Sequence, residues 1–238
     1  MLARWTLSLG LCAALACATP HAPDAAPAAP GAPSSLNANF LDPQLDVAEY
    51  VQRFEGESRE VALARDAILA ALDVRAGQRV ADIGAGTGLF LAPLSEALGP
   101  RGLLYAVDLS PRFLEHLRER VRREELGNVR VVECTERSSS LPPDSIDVAF
   151  ICDTYHHFEH PQETLASLHR ALRPGGRLLL LDFERVPGVS RDWMLEHVRA
   201  GKLEFAGEVE AAGFSAATEL NVPGLEENYL LSFTKLAP

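Results

Sequence analysis

The chain has 238 residues, of which 47% are hydrophobic, so it can fold around one core of ordinary domain size. Its formal net charge of -11 at pH 7 disfavours a nucleic-acid partner, because phosphate binding requires a basic face. The cysteines have neither the spacing of a zinc site nor that of a disulfide framework; they are Cys12, Cys17, Cys134 and Cys152.

Residues 1–17 have the pattern of a secretion signal. A basic start at Arg4 precedes an apolar run that is too short to span a bilayer. The run ends in the sequence ALAC, which resembles the lipobox of bacterial lipoproteins, with Cys17 as the lipidated residue. A Pro/Ala-rich linker that cannot build a core follows at 18–38. We expect an exported, membrane-anchored lipoprotein, or a cytoplasmic protein if the start codon is mis-assigned.

From residue 39 to 238 the pattern becomes that of one α/β domain. Residues 46–72 carry a helical apolar stripe interrupted at Gly56, and we expect 39–72 to form an N-terminal helical lid. Further helices are predicted at 89–98, 111–126, 161–172 and 204–212, and strands at 79–83, 103–107, 129–133, 146–152 and 177–181. This alternation predicts a Rossmann-like parallel sheet with helices on both faces.

The C-terminal part of the chain has a different pattern. Residues 216–222 and 228–235 are strand-like, and a Pro-Gly turn rather than a helix joins them. They predict an antiparallel hairpin at the edge of the sheet.

The first strand runs directly into the glycine-rich stretch 84–88, at the sheet edge where ligands of open α/β folds bind. A dinucleotide fingerprint would place its third glycine at Leu89, and it would usually lack the carboxylate of Asp82. That carboxylate disfavours an anion and favours a cation. Asp108 ends the second strand, where it can accept both hydroxyls of a ribose. We expect a ligand with a ribose, a positive group and no pyrophosphate.

Four stretches occur in an order that resembles a known family. They are VADIGAGTG at 80–88, LYAVDLS at 104–110, LPPDSIDVAF at 141–150 and LRPGGRLLLLDF at 172–183. Together they resemble the class I S-adenosylmethionine-dependent methyltransferases, of the small-molecule type 11/25-like group. The resemblance implies a seven-stranded sheet, S-adenosylmethionine as cofactor, and in-line methyl transfer to a small-molecule acceptor.

The resemblance also assigns cofactor contacts. The methionine part would lie on the glycine stretch and Asp82, the ribose on Asp108 and the adenine against Leu109. Which residue of 133–135 meets the adenine amine stays open. The cofactor-binding residues predicted in this way are Asp82, Gly84, Ala85, Gly86, Gly88, Asp108, Leu109, Cys134, Thr135 and Asp153.

The stretch after the fourth strand holds the candidate catalytic residues. His156 or His157 could deprotonate an acceptor, and Tyr155 could face the sulfonium through its ring. Either histidine could instead simply pack the loop. His156 and His160 are four residues apart, but they lack the order of a helical zinc motif, so no metal site is predicted.

Two flanking segments could build the acceptor pocket or could be a surface helix and a connector. The side chains of interest there are Arg53, Arg59, Arg191 and Trp193. An exported, non-catalytic binding or scaffold module on the same fold is the alternative function. A nicotinamide-dependent oxidoreductase is a third alternative, disfavoured by Asp82 and Leu89. No oligomeric state is predicted.

Overall fold

The computed structural model describes residues 36–56 and 59–237. The predicted signal segment at 1–17 and the part of the linker up to residue 35 lie outside the described residues. Among the residues that are described, no helix has the length and apolar character that crossing a membrane requires.

The described residues contain one seven-stranded sheet. Its strands are β1 Arg79–Ile83, β2 Leu103–Asp108, β3 Val129–Glu133, β4 Ile146–Cys152, β5 Leu172–Phe183, β6 Thr218–Leu220 and β7 Asn228–Thr234. They lie in the order β3-β2-β1-β4-β5-β7-β6. Strands β1 to β5 pair in parallel, whereas β7 is antiparallel to both β5 and β6. The predicted parallel sheet with a C-terminal antiparallel hairpin is confirmed.

Eight α-helices accompany the sheet within these residues. They are α1 Val47–Glu55, α2 Glu60–Leu63, α3 Arg65–Leu72, α4 Leu91–Leu98, α5 Pro111–Arg123, α6 Pro161–Ala171, α7 Asp192–His197 and α8 Lys202–Ala211. Local sequence explains several of their starts. Asp46 caps α1 by accepting a hydrogen bond from the Ala48 N–H at 2.9 Å. Ser110 caps α5, and Pro111 occupies its first turn, where a missing N–H costs nothing.

Successive residues of each central strand face two separate apolar clusters. Ala81 and Ile83 of β1 pack into one cluster with residues of α6 and α8. Val80 of the same strand packs into the other, with residues of α3 and α4. Because side chains alternate across a strand, the two clusters lie on opposite faces of the sheet. The sheet is therefore covered on both sides, as parallel sheets require.

The structure differs from the sequence prediction at some boundaries. The helical stretch 46–72 is divided into α1, α2 and α3. Strand β5 starts at Leu172 rather than 177, because Leu172 pairs with Ile146 before the register shifts. A single 3-10 turn, Tyr155–His157, follows β4, and the short helix α7 was not predicted.

Candidate cofactor and acceptor site

The site lies where the direction of strand order reverses. β1 pairs with β2 on one side and with β4 on the other, so the loops after β1 and β4 leave the sheet side by side. In open parallel sheets, ligands bind at such a switch point. Two cavities open there, of about 630 Å³ and about 100 Å³, and Gly84 and Gly86 line both. The larger lies within the range of small-molecule sites.

The glycine loop is held close to the loop after β4. Gly84 has φ +73°, in the left-handed region, and a Cβ added to it would collide with the side chain of Thr154. Gly86 is also left-handed at φ +54°, and its N–H donates to the Asp108 carboxylate at 2.8 Å. The bare backbone is therefore needed both for the turn and for the approach of the two loops.

A buried carboxyl flanks the glycine loop on each side. Asp82 lines the larger cavity and Asp108 the smaller, and they are only 3% and 5% exposed. Burial, and then the charge of Asp108, raises the pKa of Asp82 to about 7. Burial also raises the pKa of Asp108, although backbone N–H groups of Ser110, Gly86 and Leu109 oppose the shift. A cation beside Asp82 would relieve the desolvation of its charged form.

Asp153, directly after β4, lies between the two cavities and lines both. Its backbone is left-handed at φ +45°, a conformation that costs free energy in a residue other than glycine. The side chain forms an ion pair with Arg59 and accepts a hydrogen bond from Asn228. Residues from the N-terminal segment and from the last strand thus fix this carboxylate.

The remaining predicted cofactor residues divide into two groups. Leu109, Cys134 and Thr135 line the smaller cavity, and Ala85 lines the larger. Gly88 lines neither cavity, and instead packs toward Leu117 of α5. Its φ of +91° explains why glycine stands there, since the turn rather than a ligand requires it.

The N-terminal segment covers the site with aromatic rings. Phe40 and Phe54 line both cavities, and Tyr50 lines the larger one. Phe40 contacts the ring of His157 edge-on, with 5.1 Å between the centroids. Tyr50 and Phe54 also lie edge-on to each other at 5.3 Å. The rings from residues 40–54 therefore border the site, whereas Ile68 and Leu72 of α3 pack into the core, and a lid over 39–72 stays a prediction.

Tyr155 is placed elsewhere than the catalytic prediction requires. It is fully buried, its ring packs against Phe158 and Phe205, and its hydroxyl donates to Glu208 at 2.7 Å. It lines neither cavity. Within the 3-10 turn Tyr155–His157, consecutive side chains point in different directions, so Tyr155 enters the core while both histidines reach the larger cavity. Tyr155 is a core residue in this structure.

The two histidines have different environments. The Nδ1 atom of His156 lies 2.7 Å from the fully buried Asp182 carboxylate. Burial alone would lower the pKa of His156, but Asp182 reverses this and raises it. Burial, together with His156 and His197, lowers the pKa of His157 to about 3. His157 is thus a neutral imidazole and a poor proton acceptor, since an effective base has a pKa near the working pH.

Sequence reasoning missed three polar residues at the site. Asp182 orients His156, Asn228 holds Asp153, and His197 approaches His156 to 3.2 Å between their Nε2 atoms. Asp182 was contained in the LRPGGRLLLLDF stretch, but nothing in that stretch indicates its partner. The four side chains proposed for the acceptor pocket all line the larger cavity: Arg53, Arg59, Arg191 and Trp193.

Comparison with known proteins identifies relatives over the central part of the chain. Residues 81–178 match a family described as a methyltransferase domain. The chain is 35% identical over 113 residues to the ubiquinone/menaquinone biosynthesis C-methyltransferase UbiE of Pseudomonas putida. That alignment covers 47% of this chain and 44% of the relative. The chain therefore matches less than half the length of this relative.

Solved structures share the fold over a larger part of the chain. A SAM dependent methyltransferase from Aquifex aeolicus has a TM-score of 0.70 at 24% identity, covering 80% of this chain and 99% of that one. The (4+2)-cyclase SpnF has a TM-score of 0.62 at 16% identity, covering 74% of this chain and 82% of that one. Because proteins with different named activities share this fold, the reaction must be argued from the site.

Proposed function

We propose that this chain, which has the class I methyltransferase fold and matches a methyltransferase domain over residues 81–178, is an S-adenosylmethionine-dependent methyltransferase. Its acceptor is a small molecule that enters the larger cavity. The names of its relatives support methyl transfer, and the acidic balance of the chain disfavours a nucleic-acid acceptor.

One observation carries the proposal. A buried carboxyl stands on each side of a bare glycine loop, Asp82 toward the larger cavity and Asp108 toward the smaller. In their ionised forms, both carboxyls would repel a pyrophosphate on this loop. A nucleoside with a cationic sulfur complements both carboxyls, because its ribose hydroxyls can donate to Asp108 and its positive charge can lie near Asp82. The donor set thus fits S-adenosylmethionine.

The cofactor, when bound, would supply an electrophilic methyl group: the acceptor's lone pair would form a bond to the methyl carbon, and the electron pair of the broken carbon–sulfur bond would stay on sulfur. The protein contributes alignment and a dry pocket. Asp108 fixes the glycine loop through Gly86 and leaves further lone pairs for hydroxyl donors. Asp153, held by Arg59 and Asn228, lines both cavities and would lie between the cofactor and the acceptor. The rings of Phe40 and Phe54, which line both cavities, place apolar surface at the junction.

Binding calorimetry with two related ligands tests the assignment. We expect Asp108→Ala to weaken S-adenosylmethionine and S-adenosylhomocysteine equally, by about 1.5–3 kcal/mol, the contribution of hydrogen bonds to a charged group. Asp82→Asn should weaken S-adenosylmethionine more than S-adenosylhomocysteine, because only the former carries the sulfonium charge. The exposed Asp66→Asn variant is the matched control and should change neither affinity.

Turnover is tested by incubating the full chain with methyl-labelled cofactor and a metabolite extract. Label transferred to a small molecule by the parent, and not by Asp108→Ala, supports the proposal and identifies the acceptor. Failure of the parent chain to bind S-adenosylmethionine would refute it.

We also propose that the chain is an exported lipoprotein, as the signal-like residues 1–17 and the linker suggest. Such a signal would send the chain to a location where S-adenosylmethionine is not expected to be supplied. This location therefore favours the second candidate function, a binding or scaffold module without turnover. The intact glycine loop and both carboxyls argue for the enzyme. Cofactor binding without any label transfer would favour the module.

A further inference from the structure

Three histidines from two separate parts of the chain meet at the wall of the larger cavity. His156 and His157 lie in the 3-10 turn after β4, and His197 ends α7. Their ring centroids are 4.4 Å, 5.0 Å and 4.9 Å apart, and one nitrogen from each lies within 4.8 Å of the others. Such a cluster is a potential set of metal ligands, because neutral imidazole nitrogens bind divalent transition metals.

The orientation of His156 is set from behind by Asp182. One carboxylate oxygen lies 2.7 Å from His156 Nδ1, and the other accepts from the His156 backbone N–H at 3.1 Å. If Nδ1 donates its hydrogen to Asp182, the neutral ring presents an Nε2 lone pair toward His197. A carboxylate behind the distal nitrogen is the arrangement that orients metal-ligating histidines.

The spacing of one nitrogen pair in the cluster also fits a metal. The Nε2 atoms of His156 and His197 are 3.2 Å apart. Two imidazole nitrogens bound tetrahedrally at about 2.0–2.1 Å from zinc are separated by about 3.3 Å. The Nδ1 atom of His157 is buried and makes no hydrogen bond with the described residues. An unsatisfied buried nitrogen in a native structure requires an explanation, of which a bound ion or a bound water is one.

We propose that His156, His157 and His197 bind a divalent transition metal of the zinc type, with a fourth coordination position open to the larger cavity. Three protein ligands and one open position are the composition of catalytic rather than structural zinc sites. This inference rests on the proposed function for its role, because the open position faces the cavity assigned to the acceptor.

The site selects an acceptor with an ionisable hydroxyl. Bound at the open position, the hydroxyl loses its proton to solvent at a lower pH than it does in water, because the metal stabilises the oxyanion. The resulting electron pair is the nucleophile for methyl transfer. The metal would therefore perform the task that the sequence analysis considered for a histidine base. The cluster also replaces the His156–His160 pair considered from the sequence, since His160 does not belong to it.

Metal binding by the full chain, purified without a histidine tag, is measured directly. Zn²⁺ titration calorimetry and the visible spectrum of the Co²⁺-loaded protein report the site without any assay of activity. We expect one metal ion per chain and a tetrahedral Co²⁺ spectrum. His197→Ala removes an exposed ligand, and should lower the Zn²⁺ affinity by more than the roughly 10–100-fold typical of losing a residue that only hydrogen-bonds to a ligand. His157→Ala, the second variant, should do the same.

His160→Ala is the matched control and should bind Zn²⁺ as the parent does. Absence of stoichiometric metal in the parent, or equal affinity in the parent and in His197→Ala, would overturn the proposal and indicate a His156–His197 hydrogen bond instead. S-adenosylmethionine titration of the same variants separates the two proposals. Cofactor binding without metal refutes the metal site alone, and metal binding without cofactor refutes the proposed function alone.

Discussion

Replacing Asp82 by Asn should change how the stability of the protein depends on pH. The Asp82 side chain is buried beneath the glycine loop, and burial, with Asp108 as a second cause, raises its pKa from 3.8 to about 7. In the unfolded chain the same carboxyl returns to its ordinary value. Between pH 3.8 and about 7 the folded protein therefore holds a proton that the unfolded chain has lost.

The sign and size of the effect follow from this difference. Stability falls with rising pH wherever the folded state binds more protons than the unfolded state. The difference between the ordinary pKa of 3.8 and the folded-state pKa of about 7 corresponds to about 4 kcal/mol in the free energy of unfolding, because each pKa unit is worth about 1.4 kcal/mol. The parent protein should lose up to this amount, relative to Asp82→Asn, as the pH rises from 4 to 8. Asparagine stays neutral throughout.

Urea unfolding followed by circular dichroism at several pH values from 4 to 8 measures the effect. Asp66→Asn, which replaces an exposed carboxylate, should keep the parent's profile. Saturating S-adenosylmethionine should stabilise the parent more at pH 8 than at pH 5, because a bound cation favours ionised Asp82. Parallel pH profiles for the parent and Asp82→Asn would refute the claim that burial holds this carboxyl in its neutral form.

Three further predictions test separate parts of the chain. Gly84→Ala should lower the free energy of unfolding in urea by at least about 1 kcal/mol, because alanine disfavours the left-handed φ at this position. Adding Thr154→Ala should restore part of the loss, because it removes the side chain with which the new Cβ collides. An unchanged stability of Gly84→Ala would mean that the glycine loop and the loop after β4 can separate freely. Tyr155→Phe should lower the free energy of unfolding by about 1.5–3 kcal/mol, because it deletes the hydrogen bond to Glu208. Its S-adenosylmethionine affinity in calorimetry should be unchanged. Weaker cofactor binding at unchanged stability would indicate that Tyr155 belongs to the cofactor site. Cys17→Ser should move the full chain from the membrane to the soluble fraction on cell fractionation, and a variant that stays with membranes would exclude Cys17 as the anchor.

The central strands could be predicted from the sequence because each is a short apolar run that ends at a glycine or an aspartate. Strand β1 at Arg79–Ile83 and strand β4 at Ile146–Cys152 have the predicted bounds. The start of β5 could not be predicted, because Arg173-Pro174-Gly175-Gly176 has the composition of a turn. The pairing of Leu172 with Ile146, which starts the strand, depends on tertiary contacts.

The site residues that lie at the ends of strands could be predicted from the order of strands and helices along the chain. The topology brings the ends of β1, β2 and β4 together, so Asp82, Asp108 and Asp153 meet at the glycine loop. Contacts between distant segments carry no local signal. His156 and His197 are 41 positions apart, and no periodicity relates them.

The partners of Asp153 have a consequence for synthesis of the protein. Arg59 precedes the sheet, whereas Asn228 belongs to β7, which pairs between β5 and β6 after all the parallel strands have been made. A growing chain that has not yet released β7 from the ribosome leaves this carboxylate without its amide partner and the edge of β5 unpaired. The Asp153 carboxylate at the junction of the two cavities is therefore fully held only once β7 has paired with β5.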